Sequence, residues 1–243
     1  MKISEFFYTI QGEGKRAGKP SFFIRTNHCN LRCQFTGGNL CDTPYTSWYP
    51  DDEKNLGDIE IEKIIGEYLQ HNCIDVVITG GEPTMFIEDL TALCIELKRI
   101  NPDCVVTIET NGTIFGKFVE YTDLISISPK LKSSTPFGTQ YEKLHTNNRT
   151  NLESFKQYNA LRNQNKIDIQ WKFVITSEED LNEILELQKE VGFKNRDVYL
   201  MPEGITEEEL GAKRLEIIEL CKKYQFNYTD RLHVIIWGNK RGV

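Results

Sequence analysis

No stretch of the 243 residues is apolar enough to cross a membrane, because no apolar run approaches the roughly 20 residues a span needs. Residues Met1 to Ile10 carry one lysine and no apolar core of signal-peptide type. A cytoplasmic protein without membrane contact is expected. There is no internal repeat, no low-complexity tract and no linker that would separate two units. One domain over residues 1–243 is therefore expected, and a chain of this size buries roughly 70–75% of its unfolded surface. Positive charge is in deficit: 29 Lys and Arg stand against 36 Asp and Glu, a net charge of −7. A phosphate-tracking protein needs a dense basic face. Lys240 and Arg241 are too few to make one, so nucleic acid is not favoured as a partner.

What is present is an alternation of strand and helix signals. Apolar or β-branched runs occur at Ile3–Ile10, Ser21–Thr26, Ile74–Thr79, Val105–Glu109, Leu124–Ser128, Ile169–Ile175, Val198–Met201 and Leu232–Trp237. Helical spacing links Ile61, Ile64, Ile65, Tyr68 and Leu69 after Asp58 as N-cap, and links Phe86, Leu90, Leu93, Cys94 and Leu97. Ser177 with Asp180, and Thr206 with Glu209, read as capping boxes before two more helices. The long polar connection from Ser128 to Leu152 reads as a lid or a short excursion. This alternation predicts an α/β fold with a parallel sheet, whose ligands sit at the C-terminal strand ends. Unusual sequences gather there: Thr79-Gly80-Gly81-Glu82-Pro83, Glu109-Thr110-Asn111-Gly112, Ser128-Pro129-Lys130 and Met201-Pro202-Glu203-Gly204. Each alone is an ordinary strand ending. Together they read as a site.

Seven cysteines are present. Cys73, Cys94, Cys104 and Cys221 sit singly and read as small buried hydrophobes. The other three crowd into His28-Cys29-Asn30-Leu31-Arg32-Cys33 and Cys41-Asp42-Thr43. In a chain expected in the cytoplasm, such a cluster points to metal rather than to disulfides. Thiolates suit zinc or an iron–sulfur cluster. Structural zinc closes its shell with four ligands, and only His28 is near, awkwardly adjacent to Cys29. A [4Fe–4S] cluster on three cysteines leaves one iron open to a small molecule.

The spacing resembles the radical S-adenosylmethionine superfamily, whose usual pattern is Cys, three residues, Cys, two residues, Cys. The first gap fits. The second holds seven residues, so Thr36 to Leu40 read as a five-residue insertion whose Gly37-Gly38 lets the chain double back. Either Phe35 or Leu40 then takes the place beside the cofactor's adenine. Gly80-Gly81-Glu82-Pro83 resembles the superfamily's loop for the methionyl amino group. Phe7-Tyr8-Thr9-Ile10-Gln11-Gly12-Glu13-Gly14, Phe23-Ile24-Arg25, Cys41-Asp42-Thr43, Leu232-His233 and Trp237-Gly238-Asn239-Lys240-Arg241-Gly242-Val243 narrow the likeness. End to end, the chain resembles the 7-carboxy-7-deazaguanine synthase family of the queuosine and deazapurine pathway.

The resemblance implies an incomplete, modified (β/α) TIM-like barrel, usually a homodimer, with a cluster loop over about residues 28–57. It implies ring contraction of 6-carboxy-5,6,7,8-tetrahydropterin to 7-carboxy-7-deazaguanine with loss of ammonia. The cofactors would be a [4Fe–4S] cluster, S-adenosylmethionine and Mg2+, with an electron donor such as flavodoxin or ferredoxin. Cys29, Cys33 and Cys41 would ligate the cluster. Leu40, Asp42, Gly81, Glu82, Thr110, Asn111, Ser128, Pro129, Lys130, Met201, Pro202, Glu203 and Gly204 would line the cofactor. Thr43 would bind magnesium, although on spacing alone it reads as a turn before Pro44. Ile10, Gln11, Gly12, Glu13, Arg25, Thr79 and Val243 would meet the substrate. Arg25 would pair with its carboxylate, and Glu13 would accept from its N–H donors or orient Arg25. Two rivals stay open: a small activase of the same superfamily acting on a protein partner, and a non-catalytic zinc protein.

Overall fold

A computed structural model describes residues 1–243. One sheet carries nine strands: β1 (Lys2–Ile10), β2 (Pro20–Thr26), β3 (Gly57–Asp58), β4 (Asp75–Gly80), β5 (Val105–Thr110), β6 (Leu124–Ile127), β7 (Asp168–Ile175), β8 (Val198–Pro202) and β9 (Asn227–Tyr228). Their order is β3-β1-β2-β4-β5-β6-β7-β8-β9. From β2 to β9 every neighbouring pair is parallel, while β1 runs antiparallel to β2 and β3. The helices are α1 (Pro44–Ser47), α2 (Ile61–Tyr68), α3 (Ile87–Ile100), α4 (Glu142–Asn148), α5 (Leu152–Asn163), α6 (Asp180–Val191), α7 (Glu207–Tyr224) and α8 (Leu232–Trp237). The sheet does not close, and the fold is a partial TIM-like barrel. No helix is long and apolar enough to cross a membrane.

Strand alternation divides the sheet into two chemically opposite faces. Phe22, Ile24, Val76, Ile78, Val106, Ile108, Ile125, Ile127, Ile169, Trp171, Phe173 and Leu200 belong to one core of 40 buried residues. Leu90, Leu93, Cys94 and Leu97 of α3, and Leu181, Ile184 and Leu187 of α6, join the same core. The residues between them in sequence point the other way. Arg25, Thr79, Glu109, Ser126, Lys172 and Met201 line a cavity on the inner face. The register brings them side by side: Arg25 pairs with Thr79, Glu109 with Ser126, and Val174 with Met201.

Local signals explain most boundaries. Thr206 Oγ1 accepts from Glu209 N at 3.2 Å, and Glu209 Oε2 accepts from Thr206 N at 3.2 Å, so this capping box starts α7. Asp58 is not the cap of α2: it pairs with Lys2 in β3, and Glu60 stands at the N-cap. Ser177 does not cap α6 either; its Oγ accepts only from Glu179 N, and Asp180 instead turns back to accept from Thr176. The apolar run Leu232–Trp237 is a helix rather than a strand. Six apolar residues carry no period that separates the two. Here Val234 and Ile235 N–H groups bond to Arg231 O, and only Val234 is buried. Cys73, Cys94, Cys104 and Cys221 are all buried thiols. The connection after β6 contains α4 as a short excursion.

Candidate active site

A cavity of about 480 Å³ opens at the C-terminal strand ends, a size typical of small-molecule sites. Cys29, Cys33 and Cys41 all lie on its wall. The insertion between the second and third thiol is a tight hairpin. Cys41 N donates to Cys33 O at 3.1 Å, Phe35 N to Asn39 O at 2.8 Å, and Gly38 N to Phe35 O at 2.8 Å. Gly38 takes φ +95°, which only glycine adopts readily. The seven-residue gap thus folds back on itself and returns Cys41 beside Cys33. The hairpin is also tied down, with Gln34 N bonded to Ser134 O at 3.0 Å and Asn39 Nδ2 to Glu203 Oε1 at 3.0 Å.

The cluster loop is fixed at each cysteine. Arg32 Nη1 donates to Cys29 O at 2.8 Å, and Trp48 Nε1 donates to Cys33 O at 3.0 Å. Glu82 N donates to His28 O at 2.8 Å, and Gly81 N to Thr26 O at 3.1 Å. Burial pushes all three thiols up, Cys33 to about 12. Thiols in such surroundings ionise only against a strong cationic centre, as metal ligation supplies. No three His, Cys, Asp or Glu side chains converge closely enough to hold one ion. The cavity wall offers three thiols, one ligand short of the four that close a structural zinc shell.

The floor of the cavity is charged and internally paired. Lys172, 4% exposed, pairs with Glu13 and lies 3.7 Å from Glu109 Oε1. Glu109 accepts from Gln11 Nε2 at 3.1 Å and from Thr79 Oγ1 at 2.8 Å. Arg231 Nε donates to Glu13 Oε1 at 3.2 Å, its Nη1 to Gly204 O at 2.7 Å, and its Nη2 pairs with Asp42. Burial alone would push the Glu13 carboxyl up. Lys172, Arg231 and His233 beside it outweigh that and hold it well below the usual carboxylate range. Burial lowers His233, which packs against the Gly12 backbone: a Cβ on Gly12 would fall 2.4 Å from His233 Nδ1. Leu232 N donates to Gly12 O at 3.1 Å, and Gly14 N to Thr229 Oγ1 at 2.7 Å. The Gln11–Gly14 turn thereby spans from β1 to the segment after β9, across the gap that the open sheet leaves.

Arg25 stands apart from that network. Its Nε donates to Glu5 Oε1 at 2.8 Å, and its guanidinium lies 5.2 Å from the Phe7 ring centroid. The terminal nitrogens have no protein partner, so the two-pronged edge that fits a carboxylate is available at the cavity wall.

Residues 23–212 match the Radical SAM superfamily. A 7-carboxy-7-deazaguanine synthase from Halobacterium salinarum is 38% identical over 253 residues, covering 98% of this chain and 91% of the relative. One from Rhodopirellula baltica is 38% identical over 245 residues, covering 99% of this chain and 88% of the relative. The chain belongs to the 7-carboxy-7-deazaguanine synthase family of the Radical SAM superfamily. The crystal structure of QueE from Escherichia coli shares the fold at TM-score 0.67 and 24% identity, covering 96% of this chain and 94% of that one. Membership brings a [4Fe–4S] cluster and S-adenosylmethionine, and the three thiols and the cavity beside them suit both.

Of the residues singled out in the sequence, Ile10, Gln11, Gly12, Glu13, Arg25, Asp42, Thr43, Thr79, Gly81, Thr110, Asn111, Ser128, Lys130, Met201 and Val243 lie on the cavity wall with the cysteines. Leu40, Glu82, Pro129, Pro202, Glu203 and Gly204 do not. Glu82 is 1% exposed and turned inward. Its carboxylate accepts from Thr84 Oγ1 and Thr110 Oγ1, each at 2.6 Å, and from Asn111 N at 2.7 Å. It braces the Gly80-Gly81 turn against the end of β5. Glu203 pairs with Lys213 at 2.7 Å, Gly204 offers its carbonyl to Arg231, and Leu40 is spent on the hairpin, bridged to Gln34. Glu13 does not orient Arg25; Glu5 does. Lys172, Arg231 and Tyr45 line the cavity and were not singled out as site residues, and Glu109, named only within its strand ending, was given no role. Period two was the available signal for Glu109 and Lys172: Glu109 sits between Ile108 and Thr110, and Lys172 between Trp171 and Phe173, each a charge inside an otherwise buried strand.

Proposed function

We propose that this chain is a carbon–nitrogen lyase converting 6-carboxy-5,6,7,8-tetrahydropterin to 7-carboxy-7-deazaguanine and ammonia, in queuosine or other 7-deazapurine synthesis. The observation that carries this reading is the sharing of one cavity by three thiols, an arginine fork and a paired acidic floor. The cluster with S-adenosylmethionine supplies, when bound, a 5′-deoxyadenosyl radical able to take hydrogen from a carbon centre. Everything else falls to the protein. Cys29, Cys33 and Cys41 would hold the cluster, three protein ligands for four irons. The Gly80-Gly81 turn, whose missing side chains make room for the Thr26 and His28 backbone, would meet the methionyl end through its own backbone. Arg25 holds the substrate carboxylate bidentately. Glu13, kept ionised by Lys172 and Arg231, accepts from pterin N–H groups, and Gln11 and Thr79 fix the ring edge through Glu109.

Thr43 offers one hydroxyl at the wall, 3.6 Å from Cys41 Sγ. Mg2+ suits this place because it retains water and takes few protein ligands, so the substrate carboxylate would complete its shell. Family likeness further supports a single catalytic domain over 1–243, a homodimer, and flavodoxin or ferredoxin as electron donor. The test is anaerobic turnover of the reconstituted protein with S-adenosylmethionine, magnesium, reductant and the pterin. 7-Carboxy-7-deazaguanine should appear by mass spectrometry and vanish in Cys41→Ala. Cofactor cleavage without deazaguanine would sink the substrate assignment. Zinc without iron or sulfide would sink the radical reading.

A further inference from the structure

The C-terminal tail after α8 is exposed from Gly238 to Lys240, yet Val243 reaches the cavity wall. Its side-chain hydrogen bonds come from Arg241 alone. That guanidinium donates to Ser4 Oγ at 3.1 Å, to Asn55 Oδ1 at 3.0 Å and to Lys54 O at 3.2 Å. It lies 4.0 Å from the Tyr45 ring centroid and pairs with Glu5 Oε2 at 3.1 Å and with Asp52 Oδ1 at 3.4 Å. Glu5 is therefore shared. Its Oε1 accepts from Arg25 Nε at 2.8 Å and from Tyr45 OH at 2.9 Å, while Oε2 accepts from Arg241. Glu5 itself does not line the cavity, but Arg25, Tyr45 and Arg241 all do. The β1–β2 register sets Glu5 directly opposite Arg25, two pairs away from the stacked Phe7 and Phe23.

We propose that Glu5 is a positioning residue that couples the substrate-carboxylate arm to the C-terminal strap. It holds Arg25 from behind, by Nε, and so turns the two-pronged edge into the cavity. It holds the strap through Arg241 and so sets Val243 at the wall. One half-buried carboxylate serves two guanidinium groups, so a change at one end alters the group that orients the other. Arm and strap thus stand or fall together. The proposal rests on the reading of Arg25 given under the proposed function. Its link to the strap does not.

The experiment uses the reconstituted holoenzyme and three variants: Glu5→Gln, Arg241→Met and Arg241→Lys. Carboxypeptidase Y trimming, followed by mass spectrometry, reports the strap. Steady-state turnover of the pterin reports the arm. Glu5→Gln and Arg241→Met should each lose Val243 about tenfold faster and raise KM by about tenfold, with a smaller fall in kcat. Arg241→Lys, which keeps the charge, should recover part of both. Arg241 lies on an exposed tail, so Arg241→Met stays informative even where Glu5→Gln fails to fold. Unchanged trimming and KM in Arg241→Met would overturn the proposal. So would a raised KM in Arg241→Met beside an unaltered Glu5→Gln. A wild-type protein that makes no deazaguanine would overturn the substrate reading, while trimming would still decide the link between Glu5 and the strap.

Discussion

Gly81→Ala should strip the protein of its cluster, and the structure gives the reason in distances. A Cβ at Gly81 would stand 1.9 Å from His28 O, 2.4 Å from His28 C and 3.1 Å from Cys29 N. Real Cβ atoms do not approach closer than about 3.0 Å, so the two loops must part by about 1.1 Å. Neither is free to do so. Glu82 N bonds to His28 O and Gly81 N to Thr26 O, and His28 already occupies the left-handed region at φ 70°. Overpacking of this kind costs about 1–3 kcal/mol, and each backbone bond broken adds about 1 kcal/mol. The larger effect falls on geometry, because the displaced atoms carry Cys29. A shift of about 1 Å at a reacting centre can cost about a hundredfold in rate. Iron and sulfide per chain after reconstitution, together with Tm, should both fall. Gly37→Ala is the control, since a Cβ there meets nothing within 4 Å. Full cluster content and wild-type Tm in Gly81→Ala would refute the reasoning.

Arg25→Lys keeps the charge but loses the two-pronged edge, and should raise KM for the pterin by about tenfold in steady-state assays; an unchanged KM would remove Arg25 from the substrate site. Thr43→Ala should flatten the response of turnover to added magnesium, and an unaltered magnesium titration would discard the metal assignment. His145 offers a pH test. It is fully buried, and burial, then Arg149, lowers it to about 4 in the folded chain. The unfolded chain protonates it near its ordinary value of 6.5. Between those values the unfolded state binds more protons, so stability falls as pH drops below 6.5. The loss is about 1 kcal/mol between pH 7.5 and 5.5. Urea midpoints of His145→Gln should lack that part of the slope; equal slopes in the two proteins would contradict it.

Much of this was legible in the sequence because the signals were chemical rather than periodic. Three thiols in one short stretch, and four unusual strand endings taken together, demand an explanation that a bland core does not give, whereas Arg25 came only with the family resemblance. The strands were legible for the opposite reason: β4 to β8 are buried on their outer face, and their apolar residues stand out. Three things escaped. The helix Leu232–Trp237 is a short apolar run that strand and helix share equally well. Glu82 was placed beside the cofactor by the family resemblance, with no sign of the partners its carboxylate takes. Only the fold shows Thr84, Thr110 and Asn111 filling its oxygens. Glu5 was given no role, because nothing in the sequence brings Arg241 within reach of it.

The inner face of the sheet explains why this partial barrel holds charges where a closed barrel holds apolar layers. A buried ion costs several kcal/mol unless it is paired and hydrogen-bonded. Here the ions come as chains rather than as pairs: Glu109 to Lys172 to Glu13 to Arg231 to Asp42, and Arg25 to Glu5 to Arg241 to Asp52. The first chain begins and ends on a carboxylate, and the second begins on Arg25 and ends on Asp52. The first therefore carries one surplus negative charge and faces N–H donors. The second is balanced, and its Arg25 end turns a two-pronged edge toward a carboxylate. A ligand with donors along one edge and a carboxylate at the other matches the first chain's surplus and the Arg25 edge at once, and it fits in only one direction. The open sheet matters to this, because the Gln11–Gly14 turn and the C-terminal strap enter where further strands would have closed the barrel.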